Sequence, residues 1–175
     1  MHSGVVSYNV SIPGVPGLLC LRENRGHFDA GEPLVAATPA GAPVRRWAEY
    51  ILSASEACED PRTLAGWSRA IGVSRSVLIE SCARLGVAPR DARDLARVLR
   101  LVRRVGEPWD PDMALDVADR RTLRALLLRA GLTGVALQSR PSPEQFLLGQ
   151  RFVPQTSPGL GALRHLLGRA AQVMH

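Results

Sequence analysis

Four arginines, Arg93, Arg97, Arg100 and Arg104, recur at steps of four, three and four within PRDARDLARVLRLVRRV. On a helix that spacing puts four guanidinium groups on one stripe. The stripe reads either as a row that holds phosphates or as a solvated face, with Glu49, Asp91 and Asp94 as candidate partners that neutralise part of it. Every basic residue of the 175-residue chain is an arginine, 22 of them against 16 acids, for a net charge of +6. Arginine supplies planar, permanently charged, bidentate donors suited to phosphate and carboxylate. The charge is clustered. Residues 45–104 hold twelve arginines against seven acids and residues 135–175 hold four against one, whereas residues 1–44 and 105–134 are each slightly acidic. A clustered basic surface points to a polyanion partner, most often nucleic acid.

Other chemistries have little in the chain to stand on. Cys20, Cys58 and Cys82 are odd in number and form no CxxC, and His2, His27, His165 and His175 are scattered. Neither a disulfide framework nor a metal centre is expected, and the cysteine usage suits a reducing cytoplasm. Gly-rich phosphate loops, GxSxG and HExxH are all missing, so the expectation is a non-enzyme without a cofactor. No apolar run approaches the roughly 18 residues of a membrane span. MHSGVVSYNV has no basic stretch followed by an apolar one, so no signal peptide is expected.

The elements that position the arginines read as helices, and the fold class as mainly α. Val44, Trp47, Tyr50, Ile51 and Ala54 give a first helix one apolar face. Asp60-Pro61 reads as the start of a second, with Leu64, Trp67, Ser68 and Ile71 inside and Gly72 as its stop. Ser74 caps a third that runs to about Leu85, with Leu78, Cys82 and Leu85 inward. The basic helix follows, from near Pro89 to about Val105. Asp110-Pro111 opens a short helix to Val117, and Asp119 caps a helix from Arg120 to Ala130. Three regions result: a β-like or irregular N-terminal arm over 1–43, a helical domain over 44–134, and a linker with a C-terminal helix over 135–175. The last helix, about 160–173, puts Leu163, Leu166, Leu167, Ala170 and Val173 on one face, so homodimer or protein-partner docking is expected there, with attachment loosened by the Pro-rich linkers.

TLAGWSRAIGVSRSVLIESCARLG is thus helix, tight turn, helix, the physical recipe of a DNA-binding helix-turn-helix whose second helix enters the major groove. Together with GVAPRDA and the helix RDLARVLRLVRRV, it resembles the first half of an AraC-type DNA-binding domain over residues 61–105. Residues 109–131 stand where that family has its second helix-turn-helix unit. The chain departs from the family at Ser68, Glu80 and Cys82, where alanine, arginine and an aromatic are common. The resemblance implies a sequence-specific double-stranded DNA-binding protein, a bacterial transcriptional regulator. On that reading Arg75, Ser76, Ile79 and Glu80 face the bases. Arg62, Ser74, Arg93, Arg97, Arg100, Arg104, Arg120 and Arg121 hold phosphates. The alternative is a protein-interaction or adaptor subunit that reuses the same fold.

Overall fold

The structure, a computed structural model, describes residues 41–104, 109–133 and 139–173. The β-like or irregular arm expected over residues 1–43 therefore falls, up to residue 40, outside the described residues. Among the described residues the chain is helical, with no strand. Helix α1 is Ala42–Ser55, with Pro43 in its first turn, where the missing N–H costs nothing. Trp47, Ala48, Ile51 and Ala54 form its buried face. Helix α2 is Leu64–Ala70 and helix α3 is Arg75–Arg84. Helix α4, Pro89–Arg103, lies at the centre and packs on α1, α2 and α3.

The start of α2 differs from the expectation. Thr63, not Asp60, is the N-cap, and its hydroxyl accepts the Gly66 N–H at 2.9 Å. Asp60 is drawn away because its carboxylate receives both Nε and Nη2 of Arg97, at 2.8 and 2.5 Å. A cap bond to neutral backbone donors loses to a bidentate, charge-assisted pair.

Helix α5 is a single turn, Pro111–Ala114, capped by Asp110, and ends before the expected Val117. Helix α6 is Arg120–Arg129. Its cap, Asp119, accepts the Thr122 hydroxyl at 2.8 Å and the Arg121 and Thr122 N–H groups, which holds its carboxyl below the ordinary value. Helix α7, Pro143–Gly149, opens with a capping box between Ser142 and Gln145. Helix α8 is Pro158–Val173.

The tail belongs to the core. Phe146, Leu147, Leu160 and Leu163 are fully buried, and α8 makes its most extensive packing on α1. The Pro-rich connection before α8 is ordered by one buried amide. Gln150 Oε1 accepts from the N–H groups of Phe152 and Val153, and its Nε2 donates to the Val153 carbonyl. Composition suggested a loose linker there, but a buried side chain that satisfies three backbone groups makes a fixed corner instead. Leu166 and Leu167 are half-buried and Ala170 is exposed, so only the first half of the expected apolar face is covered. The side chain of Val173 lies outside the described residues.

Burial also sets the cysteine chemistry. It pushes the Cys82 thiol up to about 11, against a smaller opposing effect of the Trp47 indole N–H. Cys58 is exposed. Iodoacetamide near neutral pH is therefore expected to label Cys58 in the folded chain and to reach Cys82 only on unfolding, because the thiolate is the nucleophile. Equal labelling of both by peptide mass spectrometry would contradict the packing of α3.

Candidate nucleic-acid interface

Helices α2 and α3 are joined by a four-residue turn whose geometry follows from its residues. Gly72 takes φ of +70°, a conformation that a Cβ would penalise. The chain then doubles back so that the Val73 N–H donates to the Ser68 carbonyl at 3.0 Å. Ser68 is small enough to be buried at this crossing. Ser74 caps α3, its hydroxyl accepting the Val77 N–H at 3.3 Å. The pair is pinned to α1 through Trp67, whose indole N–H donates to the Tyr50 carbonyl at 3.4 Å.

Helix α3 is held by two fully buried side chains, Leu78 and Cys82. Its outer side carries Arg75, Ser76, Val77, Ile79 and Glu80, all exposed. The four residues expected to face bases thus share the solvent side of one helix. Arg75, in its first turn, makes no ion pair among the described residues. Glu80 accepts from Arg84 one turn on, at 2.6 Å.

The residues expected to hold phosphates divide into exposed ones, the half-buried Arg93 and Arg104, and the buried Arg97 and Arg100. Ser74, Arg120 and Arg121 are exposed. Arg62 is also exposed and pairs with Asp116 at 2.9 Å. Two members of the α4 stripe, Arg97 and Arg100, correct the expectation, because both are turned into the protein and lie on neither a phosphate row nor a solvated face. Arg97 and Arg100 are only 6% and 4% exposed. Arg97 is locked on Asp60, while Arg100 donates to the carbonyls of Ala57, Cys58 and Ala114. Arg104 donates to the Cys58 carbonyl at 2.7 Å, and Arg93 puts Nε and Nη2 on Asp94. Arg97, Arg100 and Arg104 face the loop between α1 and α2, whose carbonyls have no helical partners and need donors. Burial opposes the charge of Arg97, but the hydrogen bonds and charge of Asp60, with Asp94 and Asp116 behind them, outweigh it and hold its pKa above the ordinary value.

Three of the expected phosphate residues, Arg93, Arg97 and Arg121, come together in one cleft between α4 and α6. Arg90 and Arg129 join them there. Neither stood out in the sequence, although Arg121 and Arg129 lie eight residues apart on α6 and so share its side. The indole of Trp109 sits under the Arg140 guanidinium, 5.5 Å from its ring centre. Among the described residues no group of His, Cys, Asp or Glu is placed to hold a metal ion, and no helix is long and apolar enough to cross a membrane. Set beside known proteins, the chain matches no family model, and no curated protein and no solved structure gives a significant match.

Proposed function

We propose that this chain is a sequence-specific double-stranded DNA-binding protein, a bacterial transcriptional regulator of AraC-like type, with α3 lying in the major groove. The observation that carries the reading is the outer side of α3. Two inward residues hold the helix, and Arg75, Ser76, Ile79 and Glu80 face solvent together behind a tight glycine turn. Arg75 suits the O6 and N7 acceptors of guanine, Ile79 a thymine methyl, and Glu80 the N4 donor of cytosine. Arg84 steadies the Glu80 carboxylate and covers part of its charge near phosphate. Ser74, Arg62 and Arg120 supply the backbone contacts. The Arg62–Asp116 pair is exposed and contributes little, so it exchanges for a phosphate at small cost. Arg97 and Arg100 have no part in it.

The test is duplex binding by two variants across a salt series. Arg75→Ala is expected to lower affinity by about 1–3 kcal/mol and to blur the preference at one or two base positions. Arg120→Ala is expected to weaken selected and random duplexes alike and to reduce the salt slope by about one unit. Identical behaviour of the two variants would overturn this division of roles. Absence of salt-dependent binding by the unaltered chain would refute the DNA reading. It would favour an adaptor that docks protein on the same helix, where Val77 and Ile79 are exposed apolar side chains.

A further inference from the structure

Two rows of arginine face each other across a cleft of about 280 Å³ between α4 and α6. Helix α4 contributes Arg90, Arg93 and Arg97, and helix α6 contributes Arg121 and Arg129. Asp94 is the one carboxylate that lines the cleft with them. Arg97 is neutralised by Asp60 behind it, at 2.5 Å. Arg129 is paired with Asp91 at 2.6 Å and held with its guanidinium 4.8 Å from the centre of the Phe152 ring. Arg93 sits 2.6 Å from Asp94, and Arg90 reaches the same carboxylate only at 4.0 Å. Arg121 makes no ion pair among the described residues. Five guanidinium groups thus share three carboxylates, and the excess charge is concentrated on the two opposing walls. Like charges gathered in a concave site attract and focus a counter-anion.

We propose that this cleft binds a small polyvalent anion bearing phosphoryl groups. Arg90 and Arg121 close on it from opposite walls, Arg93 acts as a fixed donor beneath, and Arg129 is a fixed donor at the side. Arg93 uses Nε and Nη2 on Asp94, which leaves Nη1 for the guest. Depth separates a free anion from a DNA backbone. The side chain of Arg93 is 17% exposed, so this donor lies below the surface a duplex would touch, while Arg129 and Arg90, 38% and 75% exposed, stand toward the rim. The volume is at the small end for ligand sites and matches a phosphorylated metabolite of a few groups rather than a polymer. The inference stands apart from the DNA reading, since the donors at the floor of the cleft are not on α3.

The experiment is calorimetric titration of the full chain with inorganic pyrophosphate, without DNA, at an ionic strength held constant with chloride. Saturable one-site binding is expected. Arg90→Ala and Arg121→Ala are each expected to weaken it about tenfold, the loss of one charge-assisted contact. Both side chains are exposed, so the thermal midpoint of the unliganded variants should stay near that of the parent, which separates lost binding from lost folding. Two results would overturn the proposal: no saturable pyrophosphate binding, or binding that neither substitution weakens. Variants that lose duplex affinity while the parent never binds pyrophosphate would assign the cleft to DNA phosphates instead. Because the titration contains no DNA, failure of the DNA reading leaves its outcome intact.

Discussion

Asp60→Ala is expected to destabilise the chain by about 3–5 kcal/mol, the cost of leaving a buried charge without its partner. Asp60 and Arg97 are 5% and 7% exposed at their side chains, and the two bonds between them are 2.5 and 2.8 Å. The Asp60 carboxylate also accepts the Asp116 N–H at 3.2 Å, so it joins the α1–α2 loop, α4 and the approach to α6 at one point. Arg97→Ala should cost as much, because it orphans the carboxylate instead. Asp60→Leu combined with Arg97→Met should recover most of the loss, since an apolar pair of similar volume often matches a buried ion pair. Urea denaturation of the three variants measures this. Single variants that each cost less than about 1 kcal/mol would mean that the pair behaves as a solvent-exposed one. The same series bears on function. If Arg97→Ala loses DNA affinity, it should do so in proportion to its unfolded fraction, and not by flattening the salt slope of a folded protein.

The second large effect concerns the tail. Leu163→Ala is expected to cost about 2–5 kcal/mol, as for other leucines removed from a filled interior. Gly159 sets how closely α8 approaches α1. A Cβ there would lie 2.7 Å from the Trp47 ring and 2.9 Å from a Leu85 methyl, so Gly159→Val should cost about 1–3 kcal/mol through overpacking. Deleting residues 155–175 strips Leu160 and Leu163 from the core and uncovers Trp47, and should abolish cooperative unfolding. A truncated chain with an unchanged, cooperative thermal transition would show that α8 is dispensable. Self-association through this helix, the expectation from its apolar stripe, keeps only the half-exposed end around Leu166, Leu167 and Ala170.

Local signals carried most of the helix pattern. Apolar spacing, Ser74, Asp110 and Asp119 as caps, and glycine at Gly72 are short-range features, and the chain obeys them because each satisfies backbone groups within a few residues of itself. The outer side of α3 was legible for the same reason, since Leu78 and Cys82 four residues apart leave only one side to bury. The α4 stripe was misread because charge alone does not reveal direction. Ala96 and Leu101, which border the stripe, are buried with it, and only the packing of α4 at the centre shows that its polar side is covered as well as its apolar one.

What remained open was every choice between partners distant in the chain. Asp60 could cap α2 or bind an arginine 37 residues away, and only packing that brings α4 against the loop decides for the arginine. The tail helix could dock on its own domain or another, and the fit of Gly159 against Trp47 decides for its own. Arg93 and Arg121 could point anywhere until α4 and α6 face each other across a cleft. Periodicity and caps depend on neighbours within one turn and are written in the order of residues. Burial of charge and the meeting of faces depend on long-range contacts, whose gain appears only once the whole core has formed.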